Sequence, residues 1–244
     1  MRKSTRARRT NWVLIGLLAL CLPVAALLFL WLLTMPDIAG LKTANPTSTA
    51  LIEARQTQAQ QQGKAIGRHW QWVPVARISP FLRRAVVAAE DASFFTHEGF
   101  DWEGIKDAAL YDLERGELKR GGSTITQQLA KNLYLSSERS MFRKVHEALL
   151  TRELEHQLSK ERILELYLNV AEWGQGVYGA EAAARHHFKK SAKELTEDEA
   201  AWLAAILPSP RRYDPLRKTV ALTRRYERIL HRIRQAERLH IRTE

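Results

Sequence analysis

The sequence predicts a mainly α-helical domain behind one N-terminal transmembrane helix, on three observations. Trp12 to Leu33 is a 22-residue stretch without a charged side chain. As a helix rising about 1.5 Å per residue, it spans the hydrocarbon core of a bilayer. From Ser79 onward, helix-opening residues repeatedly precede runs with helical apolar spacing. No internal repeat and no βα alternation breaks that pattern.

The 244 residues, 45% of them hydrophobic, suffice for one good-sized core plus appendages. A single cysteine, Cys21, excludes an intramolecular disulfide and a cysteine-based metal site. Arg2, Lys3, Arg6, Arg8 and Arg9 precede the apolar stretch, whereas Lys42 is the basic residue soon after it. The positive-inside rule therefore puts residues 1–11 in the cytoplasm as a basic tail, and everything past about residue 35 outside the inner membrane. The stretch is too long for a signal-peptide core, and Leu20 spoils the lipobox that Cys21 would need.

The net charge of +11 also reflects a C-terminal basic cluster from Arg211 to Arg242. Export argues against nucleic acid as its partner. Anionic phospholipid headgroups suit it better, at about 1 kcal/mol per basic residue close to the surface. A solvated helix face is the plain alternative.

Taken in order, residues 34–69 read as a linker or membrane-proximal segment, marked by Pro36, Pro46 and the Gln58-to-Gln62 tract and partly helical around Thr49 to Gln61. The main domain is expected over 70–244. Trp70 to Val75 alternates like a short strand ended by proline, the only strand expected. Ser79-Pro80 opens a helix that runs to Glu90. Asp101 caps one ending near Arg115, and Gly122 or Ser123 opens the next, through Asn132. Met141 to Gln157 is a long amphipathic helix, and Ser159 caps another through Asn169. Thr196 to Glu199 form a capping box before apolar Ala200 to Leu207, which Pro208 and Pro210 stop. A basic helix from about Val220 to Leu239 closes the chain.

Candidate chemistry gathers along these helices. Glu90-Asp91 closes the apolar run Ala85 to Ala89. A carboxylate there is hydrogen-bonded, used, or costly, and burial raises its pKa in the direction that suits proton transfer. A solvated helix end is the bland alternative. His97 reads as an orienting partner in the turn that follows. Gly121-Gly122-Ser123-Thr124, ahead of Gln127, Gln128 and Lys131, offers hydroxyls and N–H groups at a helix start. That is an anion or sugar cradle, or an ordinary cap. Arg143 and Glu147, four apart, read by themselves as a surface i,i+4 pair. Three glycines between Glu172 and Gly179 mark a shaped loop, with Tyr167 and Asn169 as structural neighbours. No P-loop, zinc spacing or serine-triad motif occurs. Two separated glutamates suit glycosidic chemistry, and Lys131 with Arg143 suits a phosphate leaving group.

Five ordered motifs carry a family resemblance: Glu90-Asp91-x-x-Phe94-x-x-His97-x-Gly99; Gly121-Gly122-Ser123-Thr124-Ile125-Thr126-Gln127-Gln128 with Lys131-Asn132; Arg143-Lys144-x-x-Glu147-Ala148; Lys160-Glu161-x-Ile163-Leu164-Glu165-x-Tyr167-Leu168-Asn169; and Leu195-Thr196-x-x-Glu199-Ala200-Ala201 with Leu207-Pro208-x-Pro210. Over about residues 70 to 230 the chain resembles the biosynthetic peptidoglycan glycosyltransferases, specifically their monofunctional, membrane-anchored members. His187-Phe188 stands where Tyr-Phe is more usual. The resemblance implies a lysozyme-like, two-lobed helical glycosyltransferase domain, acting on lipid II and its growing polymer on an undecaprenyl-diphosphate carrier.

By position, the resemblance makes Glu90 the general base for the acceptor GlcNAc 4-hydroxyl. It puts Glu147 on the donor side, acting directly or through a divalent cation such as Mg²⁺ or Mn²⁺ on the diphosphate. Lys131 and Arg143 become diphosphate ligands, and Ser123, Gln127 and Gln128 contacts of the same sugar-diphosphate site. Expected partners are lipid II, inner-membrane phospholipid, and cell-division or transpeptidase proteins, because no transpeptidase motif follows. Two other functions fit less well. A muramidase or lytic transglycosylase shares the fold and a catalytic glutamate but gives Lys131 and Arg143 no task. A non-catalytic cell-wall scaffold would not need Glu90, Lys131 and Glu147 together.

Overall fold

The computed structural model describes residues 35–115, 122–135 and 140–241, together with Ile15, Ala19 and Cys21 to Pro23, which are helical. The basic tail and most of the expected transmembrane helix lie outside the described residues. Among those described, no helix is long and apolar enough to cross a membrane. The chain divides into two compact units at Asp37 and Ile38, and the unit from Ile38 onward carries the candidate chemistry.

That unit is mainly helical: α1 (Ala50–Gln61), α2 (Pro80–Glu90), α3 (Trp102–Arg115), α4 (Ile125–Tyr134), α5 (Met141–Gln157), α6 (Lys160–Val170), α7 (Ala180–Phe188), α8 (Glu197–Ile206) and α9 (Val220–Ile241). Short 3-10 turns occupy Ala39–Lys42, Val75–Arg77 and Ala192–Glu194. The caps follow side-chain chemistry. The hydroxyls of Thr49, Ser79, Ser140, Ser159 and Thr196 each accept a backbone N–H inside the helix that follows. Two starts differ from expectation. Thr124, not Gly122 or Ser123, caps α4, closing a capping box with Gln127. Helix α7, absent from the sequence reading, starts at Gly179 without any side-chain cap.

The packing has a buried alanine-rich centre. Every residue from Ala200 to Ile206 in α8 is buried, so this stretch of the helix is enclosed on all sides. Its small side chains admit α2, whose Leu82, Ala85 and Val86 are fully buried, and both helices also pack on α9. A second set joins α4 to α1, α5 and α6, with Ile125, Leu129, Leu150, Leu154 and Ile163 fully buried. Each such aliphatic side chain contributes about 1.5–3 kcal/mol by leaving water.

The expected single strand is corrected to a three-stranded sheet of order β1-β3-β2: β1 (His69–Trp70), β2 (Glu172–Gly174) and β3 (Val177–Tyr178). Strand β1 runs parallel to β3, pairing His69 with Val177, and β2 returns antiparallel with a bulge. The glycine-rich loop is thus a tight hairpin. Gly176 has φ +73°, and a Cβ there would lie 2.2 Å from the Gly67 carbonyl oxygen. Beyond Trp70 the strand stops because a side chain takes its place as partner. Asn169, fully buried, accepts Val73 N–H at 3.0 Å and donates to the Val73 carbonyl at 2.9 Å, while Val75 N–H donates to Glu165 at 2.7 Å.

The stretch read as a linker includes α1, which packs against α4 with Ile52 and Ala59 buried. Arg55 Nε and Nη2 each lie 2.9 Å from Glu172 Oε2, tying α1 to β2.

Candidate active site

Glu90 is the last residue of α2, and Asp91 leaves the helix at φ −163°, ψ 78°. The end of this helix is held from outside, where Arg232 Nη1 on α9 donates to the Ala88 carbonyl at 2.9 Å. Gln128 Nε2 donates to Glu90 Oε2 at 2.8 Å, and Tyr167 Oη donates to Gln128 Oε1 at 3.0 Å. Because a phenol takes the amide oxygen, the amide must present its NH₂ to the carboxylate. Burial raises the pKa of Glu90 above the ordinary value. The Gln128 hydrogen bond and the charges of Lys131 and Arg225 oppose that rise, and neighbouring Asp91 adds to it.

Asp91 has a different environment from its neighbour. It is buried, accepts Ile125 N–H at the start of α4 through Oδ2 at 2.9 Å, and faces His97 Nε2 through Oδ1 at 2.9 Å. His97 Nδ1 accepts the Gly99 N–H at 3.1 Å, so Nε2 carries the hydrogen that reaches Asp91. Thr124 Oγ1 then donates to the Gly99 carbonyl at 2.7 Å. Asp91, His97, Gly99 and Thr124 form one brace joining the end of α2 to the start of α4. Gly99 is required there: its φ is +89°, and a Cβ would meet Thr151 Cγ2 at 2.8 Å.

Helices α4 and α5 bring the cations together. Glu147 is buried, receiving Arg143 Nη1 on Oε2 at 2.8 Å and Lys144 Nζ on Oε1. The pair first read as a surface i,i+4 contact is therefore built around a buried carboxylate. Lys131 keeps access to solvent, yet crowding by protein lowers its pKa. Arg143 and Lys144 act in the same direction, while Glu147 and Glu90 oppose it. Lys131, Arg143, Gln128 and Tyr167 line one cavity of about 1090 Å³, whose other walls include α1 and Pro208. Glu90 lines a second cavity of about 180 Å³ with Arg225, Arg228, Arg232 and the same Pro208. Gln128 reaches from the large cavity to the carboxylate of the small one.

Other candidates lie differently. Ser123 is exposed just ahead of the α4 cap. Gln127 is turned inward: it is buried, and its Oε1 accepts Thr124 N–H at 2.9 Å within the capping box. Three participants escaped the sequence reading: Arg225 near Glu90, Tyr167 as the anchor of Gln128, and α1 as a cavity wall.

A family model described as Transglycosylase matches residues 56–234. The chain belongs to the transglycosylase family. Proteins named biosynthetic peptidoglycan transglycosylase align over most of this transglycosylase. That of Bordetella pertussis is 46% identical over 237 residues, covering 95% of this chain and 97% of its own. That of Laribacter hongkongensis is 49% identical over 214 residues (86% and 94%), and that of Methylobacillus flagellatus 51% over 193 (79% and 84%). Glu90, Lys131, Arg143, Glu147 and Arg225 all fall inside the region matched as transglycosylase, whereas Arg55 lies just before it.

Proposed function

We propose that the protein polymerises peptidoglycan glycan strands from lipid II, adding the growing undecaprenyl-diphospho-glycan chain to the GlcNAc 4-hydroxyl of incoming lipid II with inversion. The observation that carries this reading is Glu90. It is a carboxylate with a raised pKa, linked through Gln128 to a cleft that carries Lys131 and Arg143. Glu90 takes the proton of the acceptor 4-hydroxyl. That oxygen attacks the anomeric carbon of the donor MurNAc, the bond from that carbon to the diphosphate oxygen breaks, and α becomes β. Lys131 and Arg143 neutralise the charge that develops on the departing diphosphate. Glu147 holds Arg143 and Lys144 beside it.

A divalent cation such as Mg²⁺ or Mn²⁺ does not fit Glu147 as a resident group, because Arg143 and Lys144 engage both of its oxygens. Among the described residues no group of three or more His, Cys, Asp and Glu side chains could hold a metal ion. In this reading the ammonium and guanidinium groups supply the neutralisation.

The same proposal places the protein in the bacterial inner membrane through residues 12–33, as a single-pass anchor with the N-terminus cytoplasmic. Large apolar side chains exposed on α3 (Trp102, Leu110) and at the start of α5 (Met141, Phe142, Val145) suit a domain lying against lipid. Packing in two sets, α2 with α8 and α9 and α4 with α1, α5 and α6, suits a lysozyme-like, two-lobed form. Transpeptidase or cell-division proteins are the partners this activity requires for cross-linked wall. Incubation with lipid II and, separately, with finished glycan strands tests the function. Lengthening of lipid II into polymer is expected, and cleavage of finished strands without lengthening would overturn it.

A further inference from the structure

Helix α1 takes no part in the chemistry above, yet Thr57, Gln58 and Gln61 line the same cavity of about 1090 Å³ as Lys131 and Arg143. That volume exceeds the roughly 300–1,000 Å³ of a pocket for a drug-sized ligand, so the cleft has room beyond a diphosphate. The wall is held in place. Ile52 and Ala59 are buried, and Arg55 is fixed to the buried carboxylate of Glu172.

Besides Arg55, which lines the cavity but is held on Glu172, the wall presents the uncharged polar side chains of Thr57, Gln58 and Gln61. All three are exposed. Gln58 Oε1 accepts from Arg211 Nη1 at 3.2 Å and from Arg55 Nη1 at 3.4 Å. Guanidinium groups only donate, so these contacts fix the amide and leave Gln58 Nε2 as its donor. Arg55 and Arg211 are thus turned onto Glu172 and Gln58, which argues against a carboxylate ligand. Amides and a hydroxyl match the hydroxyl and acetamido groups of sugar rings.

We propose that Thr57, Gln58 and Gln61 form a sugar-reading subsite that grips an N-acetylated ring of the strand next to its diphosphate. The inference rests on the polymerase reading and adds to it the surface that holds the glycan.

The test uses the full chain in detergent, with wild type compared to the double variant Gln58→Ala, Gln61→Ala. Both side chains are exposed, so an unchanged Tm is expected. With lipid II, the double variant should show a KM raised about tenfold, shorter strands, and a kcat within about twofold of wild type. In a competition arm, an N-acetylated chito-oligosaccharide should inhibit wild type more strongly than its de-N-acetylated counterpart, and the double variant should lose that preference. Wild-type KM, strand length and acetyl preference in the double variant would overturn the subsite. Titrating the same two oligosaccharides into each protein without lipid II reads binding alone, so it decides the subsite independently of Glu90 as base. Equal affinity of wild type and double variant for the acetylated form would also overturn the subsite.

Discussion

Gln128 Nε2 lies 2.8 Å from Glu90 Oε2, and the Tyr167 hydroxyl fixes that amide from its other side. One oxygen of the proposed base is therefore held at a set position, by a group standing in the cleft that Lys131 and Arg143 line. The contact has an electrostatic sign as well: it favours the ionised carboxylate against the burial that disfavours it.

Replacing Gln128 by Ala removes that support, so the Glu90 pKa rises further. The acid limb of the kcat/KM profile should move to higher pH, with activity recovering toward alkaline pH. Steady-state rates across the acid limb check this. An unmoved limb with uniformly lower rates would mean that Gln128 acts elsewhere.

The raised pKa also has a consequence for stability. A carboxyl that binds its proton more tightly when folded stabilises the protein below its unfolded pKa, and that contribution is lost as pH rises through the folded value. Near neutral pH the buried charge opposes folding. Glu90→Gln, which keeps an acceptor for Gln128, should raise Tm there, with the gain shrinking toward about pH 4. Thermal melts over that range measure the difference.

Arg143 serves both structure and the proposed chemistry. Arg143→Ala removes a charged hydrogen bond from a buried carboxylate, at a cost of about 1.5–3 kcal/mol. Turnover on lipid II should fall about 10²–10³-fold if the guanidinium faces the leaving diphosphate. Arg143→Lys should recover more of the stability than of the rate, because it cannot reproduce the planar fork. Chemical denaturation and initial rates on the two variants separate the effects.

Gly99→Ala should destabilise by about 1–3 kcal/mol, since it forces a side chain into a positive-φ position against Thr151. The damage should extend to activity, because the Gly99 N–H and carbonyl hold His97 and Thr124 in the brace below Glu90. Urea unfolding combined with a rate assay on the folded fraction checks both parts.

What the sequence made legible was what local chemistry decides. Capped helices such as α2, α5, α6 and α8 follow from Ser and Thr placed before apolar runs. Strand β1 was overestimated because the partner that ends it is the side chain of Asn169, far along the chain. Helix α7 was missed because Gly179 opens it with no capping side chain to read. In the site, moving the α4 cap from Ser123 to Thr124 makes Gln127 rather than Thr126 the third helical residue. That shift turns Gln127 into the capping box and leaves Gln128 toward Glu90. Arg225 and the α1 wall had no local signal, since only tertiary packing carries them to the site.

The most direct measurement is lipid II polymerisation by purified wild type and Glu90→Gln under identical conditions. The account predicts a loss of about 10²–10⁴-fold in kcat, the usual worth of a general base, with KM and fold retained. Wild-type turnover by Glu90→Gln would contradict it.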